Sequence, residues 1–226
     1  MLSRSSTPPV SVSYIRALSA AGVLHARLAA TEFNYRKGVE IYGEKEPADY
    51  VYQVTSGAVR TYKLLTDGRR QIGAFHLIGD VFGLENGNVH RFTAEAIVDT
   101  TLRLVKRRSL ESVAGRDILV ANNLLSLTTT NLQHAEDHML LLGRKTALER
   151  VAAFLLEMDS RLKPTDTLAL PMCRRDIADY LGLTLETVSR ALSNLHGRRI
   201  LGFLGPSQRQ IVLLDRPQLA SLDLQN

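Results

Sequence analysis

The sequence predicts an α+β protein in three parts: a roll of short strands, a long helix, and two short helices followed by a strand pair. Three observations support this fold class. Residues 33–106 combine alternating apolar residues with frequent glycines, residues 109–142 repeat apolar residues every seven positions, and residues 173–192 read CRRDIADYLGLTLETVSRAL. A chain of 226 residues is long enough for one or two domains.

Residues 33–106 have the pattern of short β-strands. In DYVYQVTSGAVRTYKLL, Val51, Gln53 and Thr55 alternate with residues that point to the opposite face. Asp67-Gly68 lies between two strand-like runs and predicts a hairpin turn, because glycine accepts the positive φ of such turns. Many short strands with tight turns predict a roll, barrel or sandwich.

Residues 109–142 predict a long helix that pairs with a second copy of the chain. Apolar and small residues alternate at steps of three and four, which is the spacing of a seam between two supercoiled helices. The seam positions form two sets, which are Ile118, Leu125, Leu132 and Met139, then Ala121, Thr128, Ala135 and Leu142. A helix buried against its own core is the alternative, although it favours a wider apolar stripe with a 3.6-residue period.

Residues 174–193 match a helix-turn-helix motif. Ala178 is small where two helices would cross, Gly182 supplies a left-handed turn, and Thr184 caps the second helix. The strand–turn–strand pattern of ILGFLGPSQRQIVLLD follows and predicts a winged variant. An ordinary helical hairpin is the alternative, but it does not require all these residue types at once.

The exposed face of the second helix has the residue types that read DNA bases. Arg190 can donate to guanine O6 and N7, and Glu186 can accept from cytosine N4 or hold the arginine in place. Ser189 can meet a base edge or a phosphate, and Leu185 can touch a thymine methyl group. An acid near phosphates is unfavourable unless it reads a base, so Glu186 favours sequence-specific binding. The alternative is an acid that only favours the helix dipole.

Basic residues surround this motif. From Arg174 to Arg209, six arginines stand against three acids, although the net charge of the whole chain is only +5. This local excess suits a polyanion such as DNA, and a solvated basic face is the alternative. We expect phosphate contacts from the residues around the second helix, which are Arg174, Arg175, Thr184, Arg198, Arg199 and Arg209.

Cys173 is the only cysteine, which excludes an internal disulfide and fits a reducing cytoplasm. It precedes the first helix of the motif and is followed by two arginines, and both features favour a thiolate. Oxidation would place a negative charge beside DNA phosphates, so a redox role is one interpretation. Packing as a small apolar residue beneath the motif is the other.

The remaining patterns favour neither an enzyme nor a membrane protein. The chain has no apolar run of membrane-spanning length, P-loop, nucleophile elbow or H-E-x-x-H motif. His134 and His138 are four residues apart, but no further ligand accompanies them, which favours a polar helix face over a metal site. We therefore expect no metal and no cofactor.

Over residues 30–220 the chain resembles the CRP/FNR family of bacterial transcription regulators. The resemblance rests on the order of the three parts, on ETVSR in the second helix of the motif, and on the glycines of RKGVEIY, QVTSGAVR and IGDVFG. It implies a roll of the cyclic-nucleotide-binding jelly-roll type. The implied division is an N-terminal extension with a short helix (1–30), the β-roll (31–108), a dimerisation helix (109–142) and a winged helix-turn-helix domain (143–226).

The resemblance is closest to the FixK-type branch. Members that bind cyclic nucleotides grip the phosphate with an arginine–serine pair, whereas Phe92 and Thr93 stand at those positions, and Arg91 is expected to face the other side of a strand. Oxygen-sensing members have N-terminal cysteines for an iron–sulfur cluster, which this sequence does not have. FixK-type members lack both features.

This branch implies a homodimeric regulator of low-oxygen respiration and nitrogen-fixation genes that binds TTGAT–ATCAA inverted repeats without a small-molecule effector. The resemblance also implies an activator that contacts RNA polymerase through loops such as 160–167 and the hairpin near Asp67. The alternative is a regulator whose roll captures an unidentified small molecule. Such a roll needs buried polar groups around a cavity, whereas a roll without a ligand is filled by side chains such as Phe75, Phe82 and Phe92.

Overall fold

A computed structural model describes residues 30–162, 167–205 and 208–223. The expected N-terminal extension and its short helix lie outside the described residues, apart from Ala30. The strands are β1 (Ala30–Tyr35), β2 (Glu40–Tyr42), β3 (Tyr50–Ser56), β4 (Val59–Leu64), β5 (Arg70–His76), β6 (Val81–Phe82), β7 (Thr93–Ala96), β8 (Thr100–Lys106), β9 (Leu168–Ala169), β10 (Leu201–Leu204) and β11 (Gln210–Leu213). The helices are α1 (Arg107–Ala114), α2 (Ile118–Arg144), α3 (Ala147–Arg161), α4 (Arg174–Leu181), α5 (Leu185–Gly197) and α6 (Arg216–Asp223).

The first eight strands form the predicted roll. They make two antiparallel sheets, in the orders β1-β8-β3-β6 and β2-β7-β4-β5. Tyr42, Tyr52 and Phe82 pack between the sheets, and the rings of Tyr42 and Tyr52 are 5.2 Å apart. The expected hairpin joins β4 to β5, where Leu64 pairs with Arg70 and Gly68 has a φ of 82°. The α+β fold class is therefore confirmed.

The alternation in β3 separates two cores, whereas alternation usually separates a core from solvent. Tyr52 and Val54 face the interior of the roll. Val51 faces the other way and belongs to a second core with Val105 and Leu110. This second core forms because α1 and α2 cover the outer face of the sheet, so β3 is buried on both faces.

The predicted single helix over residues 109–142 is wrong in its bounds. The chain forms α1, breaks after Ala114, and begins again as α2 at Ile118. Gly115 ends the first helix, and Asp117 starts the second by accepting a hydrogen bond from the backbone N–H of Leu119 at 3.0 Å. The second helix continues past Leu142, the end of the predicted range, to Arg144.

One face of α2 is apolar and exposed. Val120, Leu127 and Leu141 pack on the chain's own cores from the other side. The first set of seam residues is largely exposed, with relative exposures of 71% for Ile118, 67% for Leu125, 57% for Leu132 and 65% for Met139. In the second set, Thr128 and Ala135 are exposed, whereas Ala121 and Leu142 are partly buried.

The C-terminal elements share one core that extends onto the roll. Thr146 caps α3 in a reciprocal capping box with Glu149, which fixes the start of this helix. Phe154 of α3 and Tyr180 of α4 pack against Phe75 of β5, with ring centroids 6.2 Å and 5.1 Å from Phe75. The C-terminal domain therefore lies directly against the roll.

Two glycines in the roll have nearly the same backbone conformation but different surroundings. Gly57 and Gly68 have φ values of 83° and 82°. A Cβ at Gly57 would lie 2.5 Å from Oγ1 of Thr100 and would also contact the carbonyl of Asp99, whereas a Cβ at Gly68 would meet no atom within 4 Å. Alanine at Gly68 therefore tests backbone strain alone.

We expect Gly68→Ala to lower the free energy of unfolding by about 1 kcal/mol, the usual cost of a left-handed alanine. Gly57→Ala should cost about 2 kcal/mol more, because a buried neighbour must move. Urea unfolding of the wild type and both variants measures the difference. Equal losses for the two variants would contradict the close approach at Gly57.

Candidate nucleic-acid interface

Gly182 sets the angle between α4 and α5. Its φ of 62° and ψ of 37° place it in the left-handed region, and its N–H donates to the carbonyl of Ala178. Ala178 and Val188 are buried where the two helices pack. Thr184 caps α5 by accepting from the backbone N–H of Thr187 at 3.2 Å. The helix-turn-helix predicted from the sequence is confirmed in detail.

The face of α5 that points away from this core brings together the expected base-reading residues. Glu186 and Arg190 are exposed, and Leu185 and Ser189 are partly exposed. The opposite face is buried, through Val188, Ala191, Leu192 and Leu195. In the described part of the chain, neither Glu186 nor Arg190 forms an ion pair, so the proposed support of Arg190 by Glu186 is not made here.

Arg174 connects three elements of the domain. Its Nη1 donates to Oγ of Ser189 at 3.3 Å, and its Nη2 donates to the side chain of Gln208. Its guanidinium lies 5.6 Å from the ring centroid of Phe203 in β10. Arg174 was expected only to contact a phosphate. It therefore also connects the first helix of the motif to the recognition helix and to the wing.

The other expected backbone contacts are exposed around the motif. Arg175 lies in α4, Arg198 caps the end of α5, and Arg209 immediately precedes β11. Arg199 has a φ of 58°, an uncommon conformation for a residue other than glycine. Exposed guanidinium groups at these positions can meet phosphates without moving buried neighbours.

Cys173 is the N-cap of α4, and its thiol faces a carboxylate. Its Sγ donates to Oδ2 of Asp176 at 3.1 Å, and its backbone N–H donates to the same oxygen at 3.1 Å. The expected partners, Arg174 and Arg175, make no hydrogen bond with the sulfur among the described residues. Asp176 stands at the third position of the helix, where a capping acid is favoured, and this spacing is the signal that the sequence reading missed.

Cys173 is partly exposed beside a small cavity. The cavity has a volume of about 200 Å³ and is also lined by Met172, Gln208 and Arg209. Small polar molecules can therefore reach the sulfur from the side on which the wing lies.

Asp176 also joins the motif to the roll, through a cluster that sequence reasoning did not find. Its Oδ1 accepts from Nη1 of Arg60 at 2.7 Å and from Nη2 of Arg70 at 2.8 Å. Arg70 also contacts Asp179, with Nε 2.8 Å from Oδ2, and Arg60 contacts Glu95 at 2.6 Å. Only spatial proximity reveals this cluster, since its two arginines are more than 100 positions from Asp176 and Asp179 along the chain.

These contacts affect the ionisation of Arg70. Burial alone would lower its pKa, but the hydrogen bonds and charges of Asp179 and Asp176 outweigh burial and raise the pKa. The two carboxylates therefore stabilise the charged guanidinium despite its burial.

A cavity of about 260 Å³ lies between the roll, α2 and the C-terminal domain. Its lining includes polar groups, among them Thr61, His76, Asn131 and His134, and also Phe92. Oγ1 of Thr61 lies 3.1 Å from Nε2 of His76, and burial lowers the pKa of His76 to about 4. The cavity therefore presents a neutral imidazole at neutral pH.

The lining of this cavity has features of both alternatives for the roll, which are a roll that binds a small molecule and a roll filled by its own side chains. Phe82 is buried inside the roll and fills space there, as in a roll without a ligand, while polar groups remain around the cavity. The expectation that Phe75 fills the interior is wrong, because Phe75 packs outward on Phe154 and Tyr180 of the C-terminal domain. Phe92 lines the cavity, and Arg91 is exposed outside it, as expected. The strand argument for Arg91 is wrong, however, because β7 begins only at Thr93.

The two histidines of α2 have different surroundings. His134 lines the cavity, while Nε2 of His138 donates to the carbonyl of Tyr180 at 2.8 Å and its ring stacks on the Tyr180 ring. Burial lowers the pKa of His138. Within the described ranges, no three side chains of the metal-ligating types come together.

Among residues 30–162, 167–205 and 208–223, no helix combines the length and apolar composition of a membrane span.

The fold and the motif define a winged-helix DNA-binding protein with a sensor-type roll. Family models match both parts: residues 32–117 match the cyclic nucleotide-binding domain, and residues 149–222 match the Crp-like helix-turn-helix domain. The solved structure of FixK2 from Bradyrhizobium japonicum is 70% identical, covers 87% of this chain and 98% of its own, and has a TM-score of 0.83.

Curated relatives agree with the structural comparison. The nitrogen fixation regulation protein FixK of Rhizobium meliloti is 47% identical over 175 residues, which are 77% of this chain and 78% of the relative. FixK of Azorhizobium caulinodans is 47% identical over 194 residues, which are 84% of this chain and 77% of the relative. The chain therefore belongs to the CRP/FNR family of transcription regulators, and it is a DNA-binding regulator rather than an enzyme.

Proposed function

We propose that this chain binds TTGAT–ATCAA inverted repeats as a homodimer and activates genes of low-oxygen respiration and nitrogen fixation in the cytoplasm. The observation that carries the proposal is the exposed pair Glu186 and Arg190 on the free face of a capped recognition helix. The FixK relatives, whose names refer to nitrogen fixation, support the choice of genes.

The homodimer rests on the exposed seam of α2. A second copy packed along this seam would cover apolar surface that is otherwise exposed to solvent, at Ile118, Leu125, Leu132 and Met139. A parallel pair has a two-fold axis, which places the two recognition helices about one DNA turn apart on an inverted repeat. We assign the roll to residues 31–108, the dimerisation segment to 109–142 and the DNA-binding domain to 143–226.

In the proposed complex, bases and phosphates are contacted by different residues. Arg190 donates to a guanine and Glu186 accepts from a cytosine, while Leu185 and Ser189 contact neighbouring base edges. The side chains that contact phosphates are Arg174, Arg175, Thr184, Arg198, Arg199 and Arg209. The exposure of Arg175, Arg198, Arg199 and Arg209 supports this division.

RNA polymerase is the proposed second protein partner. The exposed hairpin at Asp67 and the loop 160–167 would offer the contacts, although residues 163–166 of that loop lie outside the described residues. Asp67 is held by the backbone and side chain of Arg69, at 3.0 Å and 2.7 Å, so the hairpin presents a fixed shape.

Binding without an effector is the first candidate for the role of the roll. Its aromatic filling through Phe82, together with Phe92 where a phosphate-binding arginine would stand, supports this candidate. The second candidate is a ligand-dependent regulator, and the polar cavity around His76, Asn131 and His134 favours it. Binding of DNA by purified protein with no added ligand distinguishes the two.

We further propose that oxidation of Cys173 weakens DNA binding. Two molecules of hydrogen peroxide convert the thiol to a sulfinic acid and are themselves reduced to two molecules of water. The resulting sulfinate can no longer donate to Asp176, and in the proposed complex its negative charge lies beside a DNA phosphate and repels it. Like charges at about 4 Å in water cost on the order of 1 kcal/mol, and more when water is excluded.

Purified protein without added ligand should bind a TTGAT–ATCAA duplex in fluorescence anisotropy. Arg190→Ala should cost about 1–3 kcal/mol of binding and remove discrimination at one base pair of each half-site. Arg209→Ala is the matched control: it should weaken all sequences alike and reduce the slope of log K against log salt by about 1.

Uniform weakening by Arg190→Ala would make this arginine a phosphate contact and overturn the base assignment. Binding that requires a small molecule from a cell extract would favour the second candidate for the roll.

Leu132→Glu should convert the dimer to monomers in sedimentation at micromolar concentration. A charge on each helix at the seam should raise the dimer dissociation constant by about 100-fold or more, because it is desolvated without a partner. Leu140→Glu is the control, since Leu140 is 60% exposed on the same helix but lies off the heptad seam. Equal dissociation in both variants would contradict the proposed seam.

Peroxide treatment should reduce DNA binding of the wild type and leave Cys173→Ser unchanged. Serine is a suitable variant because its hydroxyl can also donate to Asp176. At ~1–2 kcal/mol of added repulsion, the affinity should fall about 5- to 30-fold. Equal loss in the wild type and the serine variant would exclude Cys173 as the sensitive group.

A further inference from the structure

Apart from the contact of His138 with Tyr180 described above, the DNA-binding domain is attached to the rest of the molecule at two places. The first is the junction of α2 and α3, where Arg150 donates to the carbonyls of Leu142 at 2.8 Å, Lys145 at 2.9 Å and Leu181 at 3.0 Å. The second is the outer face of the roll. A domain held only at the junction could still rotate about it, so the second attachment determines its orientation.

The apolar part of the second attachment provides contact without a fixed register. Phe75 of the roll packs on Phe154 and Tyr180. Aromatic rings tolerate several offset and tilted arrangements at similar energy. Apolar packing alone therefore leaves the domain free to settle in more than one orientation.

The charged part of this attachment consists of a pair between Arg161 of α3 and Asp80 of the roll, at 2.7 Å, and of the pairs to α4, which are specific in geometry. Arg70 extends from β5 and reaches two carboxylates of α4, with contacts of 2.7 Å to Asp179 and 2.8 Å to Asp176. Arg60 extends from β4 to Asp176 at 2.7 Å and is itself held by Glu95 at 2.6 Å. The side chain of Asp176 is only 6% exposed, and those of Arg60 and Arg70 are 14% and 19% exposed.

Ion pairs in such surroundings contribute little net stability, because desolvation offsets their attraction. Their best-attested contribution is to select one arrangement over others of similar packing, since a shifted arrangement leaves a buried charge without a partner. A displacement of α4 by a few ångströms would separate Arg70 from Asp179 while Phe75 kept its apolar contacts.

We propose that Arg60 and Arg70 are positioning residues for DNA recognition: through Asp176 and Asp179 they fix the orientation of α4, and thereby the spacing between the two half-sites that the dimer accepts. This inference rests on the proposed binding of an inverted repeat by a homodimer. Because Gly182 and the buried side chains of Ala178 and Val188 join α4 rigidly to α5, the orientation of α4 sets the position of each recognition helix. The roll thus selects DNA geometry without touching DNA.

Three variants and one control test this inference. Arg70→Gln and Asp179→Asn remove the two sides of one contact, and the double variant removes both. Asp176 is left unchanged because it also caps α4. Arg69→Gln is the control, since Arg69 pairs with Asp67 in the same hairpin but does not reach the DNA-binding domain.

Each protein is titrated with duplexes in which the spacer between the two half-sites is native, or longer or shorter by one base pair. We expect the wild type and Arg69→Gln to prefer the native spacer. Arg70→Gln and Asp179→Asn should each reduce this preference by about fivefold or more, and the double variant should be no worse than either single variant. Discrimination at the Arg190 base pair should not change, because the recognition helix itself is intact.

The opposite results would overturn the inference. An unchanged spacer preference in Arg70→Gln and Asp179→Asn would do so, and so would an equal loss of affinity on all three duplexes together with a lower melting temperature, which indicates a purely structural role. Additive effects in the double variant would show that the two residues act separately. Failure of the wild type to bind any of the duplexes would instead overturn the proposed function.

Discussion

The carboxylate of Asp176 is the point on which the arrangement of the molecule depends. One oxygen closes the first turn of α4 by accepting from Cys173, and the other accepts from two arginines of the roll. A single buried anion thus serves local helix formation and contact between distant parts of the chain. Because it has partners on every side, its burial does not carry the penalty of an isolated charge.

Around this anion the protein is organised as a chain of rigid contacts. The roll holds α4, the left-handed glycine at 182 holds α5 against α4, and α5 presents its polar face outward. Each contact restricts the orientation of the next element.

Local patterns in the sequence predicted most of this structure. Ala178, Gly182 and Thr184 defined the helix-turn-helix because each has a role within a few neighbouring residues, and Asp67-Gly68 defined the hairpin for the same reason. Contacts between distant residues could not be predicted, since the distance from Arg70 to Asp179 depends on how the domains pack. The break at Gly115 was also missed, because the heptad pattern begins only after it.

The double burial of β3 has a consequence for the history of this fold. Side chains such as Tyr52 and Val54 face the interior of the roll, while Val51 supports the helices on the outside. Substitutions in the interior therefore leave the outer support undisturbed. A lineage can gain, exchange or discard a chemical signal inside the roll while the scaffold that carries the helices is inherited intact.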